Sequence, residues 1–378
     1  MTTALAPSLA RWEGRLVFVV TAVLVVFGVA AVYGASSIVA AQHGDPGSYF
    51  ALRQLLGAVL GGFGLVVAAR TDYHVWQRWA WPLVLMALGL LMVPYLPGLR
   101  GLTPEINGAR RWIFLGPVSF QASEVAKFAL VVWAAMLATR KGDRVRAFKQ
   151  GVLPFLVITV PACALILFQP SLSTALLAAL AVGVVLFTAG AKIGHFLLLT
   201  LVAVPIVWRE LTAVQYRLAR MVSFLSPGPD DTEASWQITQ SLTGIGAGRL
   251  FGVGFGEGLQ KLGYLPEAYT DFIFSTIGEE WGFLGAILII ALFTIYIFMG
   301  FRIARTAPDR FGLLLVSGLT ALVGMTAILH IAVTLAVIPT TGLSLPFLSY
   351  GRSNLVVSLI ATGIIMNVAR QRGGARGR

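Results

Sequence analysis

Glu267, Asp271, Glu279 and Glu280 stand close together in "GYLPEAYTDFIFSTIGEEWGFLGAILIIALF", in a chain with only 16 acidic residues. They gather at the mouth of a long apolar run. A carboxylate at such a mouth can act as a base or hold a cation. Thr270 before an apolar run also fits an ordinary helix start, with Thr as N-cap and Asp271 in the first turn, so both readings stand. As one helix, residues 271–300 would span roughly 45 Å, against a hydrocarbon core of about 30 Å. The first turns are therefore expected to stand above the lipid, with Asp271 outside it and Glu279 and Glu280 near the outer interface. Adjacent residues point about 100° apart on a helix. One of these two glutamates is expected to face protein and pair with an arginine, the other to face headgroups. Glu267 follows Pro266 in a loop, where solvation alone would account for it.

A second stretch, "NGARRWIFLGPVSFQASEVAKFALVVWAAML", carries cations. Arg110 and Arg111 precede Trp112. Guanidinium groups grip phosphate oxygens in pairs of hydrogen bonds, and the same trio also suits anchoring at a membrane interface. Glu124 and Lys127 lie three apart, hence on one helix face. Ionisable groups that deep face a polar cavity or one another. Near the C-terminus, "PTTGLSLPFLSYGRSN" is a Pro/Gly-broken turn that puts Arg352 just inside the last apolar run, with His330 on the run before. His330 reads as a hydrogen-bonded histidine between helices. Arg352 either pairs with an acid on another helix or holds an anionic ligand. Together these groups describe one outward-facing site that joins a carboxylate to fixed cations beside lipid. It suits a substrate with a phosphate or pyrophosphate head and a lipid tail. No cysteine-based metal site and no zinc-protease helix is visible.

The elements that must position these groups are membrane helices. The 378 residues are 57% hydrophobic and 12% charged, where a soluble domain carries roughly 25% charged residues. Apolar runs near 20 residues recur throughout, and inside lipid the backbone must satisfy itself, which selects helices. The expected fold is an all-α polytopic membrane protein of ten spans: about 16–35, 54–69, 77–96, 122–139, 152–168, 171–189, 193–209, 272–300, 311–337 and 346–369. It forms one integral membrane domain over 1–378, with extracytoplasmic loops at about 97–121 and 210–271. Most of the 28 basic residues fall in alternate connections, above all Arg140, Lys141, Arg144, Arg146 and Lys149. The positive-inside rule puts that side and both termini in the cytoplasm. The net charge of +12 then reflects orientation, not nucleic-acid binding. The lone Cys163 excludes an internal disulfide. The first apolar run is long enough to remain as a span, with no cleavage site after it. "GIGAGRLFGVGFGEG" lacks the strand–helix context of a dinucleotide loop, so its glycines are expected to let backbone pack tightly at the membrane surface.

Four stretches, "NGARRWIFLGPVSFQASEVAK", "FQPSLSTAL", "GVGFGEGLQKLGYLPEAYTDFIFSTIGEEWGFLG" and "PTTGLSLPFLSYGRSNLV", resemble the signature regions of the SEDS family, the shape, elongation, division and sporulation proteins. The resemblance runs from about residue 16 to 369. "QKLGYLPEAYTDFIF" is nearer the division branch than the elongation branch. What this implies is a ten-span protein of the cytoplasmic (inner) membrane that polymerises lipid II into peptidoglycan. Its catalytic residue would be Asp271. Trp112, Glu124 and Lys127 match family positions, and together with Arg110, Arg111, Glu267 and Arg352 from the residue reading they make up the expected substrate contacts. The family resemblance further implies support by a divalent cation, Mg or Mn, no organic cofactor, and partnership with an FtsI-like class B penicillin-binding protein and other divisome proteins. The chain departs from the family pattern at Ser171 and Ser173, at His330-Ile331-Ala332 and at Gly351-Arg352-Ser353-Asn354. An acid is lost at 171 and a cation gained at 352.

The expected chemistry is inverting transfer, with Asp271 as general base on a sugar hydroxyl and cations stabilising the departing pyrophosphate. The rival readings are a lipid II flippase, an elongation-type polymerase, a scaffold that only positions a transpeptidase, and a polymerase of another lipid-linked glycan. The apolar inner halves of most spans speak against a flippase path.

Overall fold

The structure, a computed structural model, describes residues 6–106, 108–116, 118–225 and 233–372. In chain order it comprises α1 (Ala6–Gln42), α2 (Tyr49–Arg70), α3 (His74–Met92), a hairpin of β1 (Trp112–Leu115) and β2 (Val118–Gln121), α4 (Ala122–Lys141), α5 (Leu153–Phe168), α6 (Leu172–Thr188), α7 (Ile193–Thr212), α8 (Gln215–Leu225), α9 (Glu233–Ala247), α10 (Ile273–Arg305), α11 (Arg310–Thr334) and α12 (Arg352–Gln371). Among the described residues nine of these helices are long and apolar enough to cross a membrane, and α6 is a shorter apolar helix of 17 residues. The protein is a predominantly helical, multi-pass membrane protein.

Burial divides the helices by role. α4, α11 and α12 are mostly covered and form the centre of the bundle, while no residue of α7 is buried. Small residues permit the close contacts that lipid-embedded packing depends on. Gly61 and Gly64 of α2 lie directly against Leu359 and Ile360 of α12. The outward faces of α2 and α7 remain apolar and exposed, as at Leu56, Phe63, Leu197 and Leu201. That is the surface expected where the surroundings are acyl chains.

Several boundaries differ from the sequence expectation. α1 extends well past 16–35 at both ends. The last helix begins at Arg352, because residues 346–351 are spent on turns. The connection 97–121 contains a two-stranded antiparallel hairpin, with Trp112 opposite Gln121, which helix-period reasoning does not foresee. The segment expected as one helix over 271–300 is broken at Gly282, where φ is 65°.

That break explains the glycine-rich stretch before it. A kink releases backbone donors and acceptors, and in lipid these must be satisfied by protein. Residues 249–254 lie alongside the break and supply the partners. Val253 N–H donates to Glu279 O (3.0 Å), Gly254 N–H to Glu280 O (3.2 Å), Phe283 N–H to Arg249 O (2.8 Å) and Leu284 N–H to Leu250 O (3.2 Å). The approach leaves no room for side chains: a Cβ on Gly252 would fall 2.1 Å from Glu280 O. The expectation of tight backbone packing holds, and its purpose is to mend a broken helix.

Candidate functional site

The site lies in the irregular segment just before α10. α10 starts at Ile273 with Phe272 at its N-cap position, so Thr270 is not the helix cap. Its hydroxyl instead donates to the Glu267 carboxylate (2.7 Å). Glu267 adopts the left-handed region with φ 54°, and its carbonyl accepts from the N–H groups of Thr270, Asp271 and Phe272. This tight turn sets Asp271 down in front of the helix. The turn is held from behind by the segment leading into α12: Ser349 Oγ donates to Thr270 O (2.6 Å) and Tyr350 N–H to Tyr269 O (2.9 Å). Gln54 of α2 locks the brace, donating to Ser349 O (2.9 Å).

Asp271 is densely surrounded by protein yet still partly open to solvent. Burial is the main cause that pushes its carboxyl up to about 7, and the neighbouring Glu267 charge adds to this. Arg220 of α8 and Arg111 beside β1 act in the opposite direction. Gly342 packs against the carboxylate, where a Cβ would meet Oδ2 at 3.2 Å. The Tyr269 phenol is raised to about 12, chiefly by burial, so it stays a neutral hydrogen-bonding group. A carboxyl near 7 exchanges its proton at neutral pH, and two guanidinium groups nearby can meet a phosphate-bearing ligand.

The other sequence-predicted residues divide. Arg111 is braced on the turn before α6, with Nε donating to Gln169 O (2.8 Å) and Nη2 to Pro170 O (3.0 Å). Its neighbour Arg110 faces Glu105 at 3.7 Å, and Trp112 begins β1, half-buried. Among the described residues Arg352 pairs with no acid and makes no hydrogen bond to the loop of Ser171; its Nη2 donates to Ser119 Oγ (2.7 Å). Ser353 accepts from Gln121 N–H (2.9 Å). The two departures at 352 and 353 thus fasten the hairpin to the start of α12. Ser171 turns inward to Thr174 (2.7 Å), so the changes at 171 and 352 do not compensate by direct contact. His330 is buried between elements as expected, with Nδ1 2.6 Å from Leu343 O.

Glu124 and Lys127 form a mutual ion pair at 2.8 Å, both almost fully buried. The cavity beside them, lined also by Thr326 and Asn354, has about 10 Å³, room for at most a single water. Glu279 and Glu280 correct the expectation of one inward and one headgroup-facing acid, since both are buried. Glu279 accepts from Leu259 N–H (2.8 Å), and Glu280 pairs with Lys261, not an arginine (3.3 Å). Sequence reasoning missed Arg220 as a site residue. It counted only as one of several cations in a long outer segment, and no spacing relates it to Asp271.

Among the described residues no three His, Cys, Asp or Glu side chains converge. Asp271 and Glu267 fit a cation that arrives already bound to phosphate, since magnesium is commonly held by one or two carboxylates plus substrate phosphates.

Fold and site together define a multi-pass membrane protein with a carboxylate and cations set at one end of its helical bundle. The chain belongs to the cell cycle protein family that groups FtsW, RodA and SpoVE, which matches it over residues 14–373. A protein of Trichlorobacter lovleyi named "Probable peptidoglycan glycosyltransferase FtsW" is 44% identical over 361 residues, 96% of this chain and 94% of that protein. Stage V sporulation protein E of Bacillus subtilis is 37% identical over 355 residues, 94% of this chain and 96% of that protein. Among solved structures, the rod shape determining protein RodA of Thermus thermophilus superimposes with a TM-score of 0.68 at 27% identity, covering 94% of this chain and 96% of that one. A chain from a structure described as "Structural coordination of polymerization and crosslinking by a peptidoglycan synthase complex" gives 0.74 at 27% identity, covering 94% and 97%.

Proposed function

We propose that this chain is a peptidoglycan glycosyltransferase that polymerises lipid II during septal wall synthesis, with Asp271 as general base. The activity rests on kinship with relatives that carry that name over nearly their whole length. The residue assignment is carried by one observation: Asp271, set before α10 by backbone contacts, has its carboxyl pushed up to about 7 within the fields of Arg111 and Arg220. That is the range in which a base both accepts and releases a proton efficiently.

In the proposed step, Asp271 takes the proton of the sugar 4-hydroxyl of an incoming lipid II. The oxygen attacks the anomeric carbon of the growing glycan, and the carbon–oxygen bond to the lipid pyrophosphate breaks with inversion. Pyrophosphate is a good leaving group, so one base suffices. Arg111 and Arg220 stabilise the charge that builds on it. Arg110, Trp112 and Arg352 would shape the approach, Arg352 through the hairpin. Glu267 would help hold a divalent cation, Mg or Mn, whose chemistry would be further neutralisation of the pyrophosphate charge. Glu124 and Lys127 would act from within the bundle by holding α4 in place.

The proposal places both termini in the cytoplasm and Asp271 outside it, with ten crossings once α6 is counted. It also takes a class B penicillin-binding protein as partner, in line with the synthase complex that one structural neighbour represents. A flippase is less well supported, because the intramembrane pair Glu124–Lys127 adjoins a cavity far too small for a head group.

The test is polymerisation of labelled lipid II by the purified chain, with and without the cognate transpeptidase. Wild type is expected to give glycan ladders, and Asp271→Asn to lose at least about 100-fold in rate. Polymer formed by Asp271→Asn at the wild-type rate would remove the base assignment. Transbilayer movement of fluorescent lipid II without polymer would replace the activity itself.

A further inference from the structure

At the far end of α4, about 30 Å from its start at 1.5 Å per residue, lies an open cleft of about 580 Å³ lined by Lys141, Arg144, Lys149, Gln150 and Pro154. The mechanism above does not use it. Its walls are built. A 3-10 turn, Gly142–Arg146, is followed by one turn of π-helix, Phe148–Val152, a rare geometry that recurs at functional positions. The two turns touch at Gly151, where a Cβ would fall 2.4 Å from Arg144 O. Val145 is fully buried between them, and Lys141 Nζ donates to Gln150 O (2.5 Å). These contacts fix the backbone from which the cations project.

The charge in this cleft is unbalanced. Arg144 and Lys149 are exposed, and among the described residues neither makes an ion pair with an acid. The only acid in the turn, Asp143, is 98% exposed and lies 3.9 Å from Arg310. The cleft opens onto α5, where Leu153, Val157 and Val160 are exposed along one face, the spacing of successive helical turns. A cationic cleft continuous with a lipid-facing apolar stripe matches an amphiphile with a phosphate head and acyl tails. A free phosphate would use only half of it.

We propose that Lys141, Arg144 and Lys149 form a binding site for the phosphate headgroup of an anionic membrane lipid, whose tails lie along α5. Basic pockets between membrane helices recognise such headgroups through these same forces. Three cations suit a headgroup with two phosphates best.

The experiment is native mass spectrometry of the purified full chain, titrated with cardiolipin, phosphatidylglycerol or phosphatidylcholine. Wild type is expected to retain cardiolipin over phosphatidylglycerol and both over phosphatidylcholine. Arg144→Gln with Lys149→Gln should weaken cardiolipin retention about 25-fold, near fivefold for each cation. Gly151→Ala keeps every charge but displaces the turn, and should weaken retention too. Arg305→Gln, which removes an exposed charge near the end of α10, should change it less than twofold. Equal losses for Arg305→Gln and the double variant would mean a diffuse surface potential and overturn the site. Undiminished binding by the double variant, or by Gly151→Ala, would also overturn it. Displacement of cardiolipin by equimolar glycerophosphate would show a soluble phosphate ligand instead of a lipid.

Discussion

Residues 263–272 and residues 279–284 are neighbours in sequence and both carry acids, yet their carboxylates are held in different ways. In the second region every carboxylate is spoken for. Glu279 takes backbone N–H groups from residues 259 and 260, Glu280 takes Lys261, and the broken backbone at Gly282 is repaired by residues 249–254. In the first region the backbone is held from behind by Ser349 and Tyr350, while Asp271 is left to long-range fields of both signs. A buried carboxylate with close partners stabilises structure. One whose supports are all on the backbone leaves its side chain uncommitted, the condition that the proposed base role requires.

The largest expected effect that sharpens this contrast is on the pH dependence of turnover. Asp271 must be ionised to act as a base, so the rate should rise with pH through about 7. A profile flat from pH 5.5 to 8.5 would disconnect Asp271 from the proton transfer. The stability sign is the reverse. The folded carboxyl lies above its ordinary value of about 3.9, so the folded state loses stability as pH rises from there through about 7. Asp271→Asn should therefore raise the melting temperature, and by more at pH 8 than at pH 5, while abolishing polymerisation. A lower melting temperature at pH 8 would place Asp271 among the structural acids.

The structural region should break differently. Glu280→Gln leaves Lys261 buried without its counter-charge and should cost about 3–5 kcal/mol in stability. The fraction that remains folded should keep wild-type turnover per molecule. Gly252→Ala forces a methyl against Glu280 O and should cost about 1–3 kcal/mol, read as a lower melting temperature without a change in the pH profile. The smallest effect is expected from Gly342→Ala, which meets only the tip of the Asp271 side chain. It should shift the pH midpoint and slow turnover a few-fold with the melting temperature unchanged. A large loss of stability there would mean that the 340–345 turn is structural support and not a wall of the site.

Much of this protein was legible from residue order. Long apolar runs require helices because lipid offers the backbone no hydrogen bonds, so helix existence and the multi-pass fold follow directly. Glu124 and Lys127 were legible as a pair because three residues is a fixed distance on a helix. The role of the glycines at 244–258 was legible only as close packing. What they approach, a kink more than twenty residues onward, has no local signature. The hairpin at 112–121 escaped notice because its strands are four residues each and sit inside a stretch dominated by helical neighbours.

By itself the sequence determined the membrane class, the acidic motif around Asp271 and the cations able to face a phosphate, because each follows from residue type, run length or short spacing. Only the tertiary structure decided which acid is held ready and which are locked. It separated Asp271 from Glu279 and Glu280, drew in Arg220 from α8, and turned Arg352 towards Ser119. The physical reason is that a carboxylate's role depends on its burial and its partners. Those partners come from segments far away in the chain, so no local pattern encodes the choice.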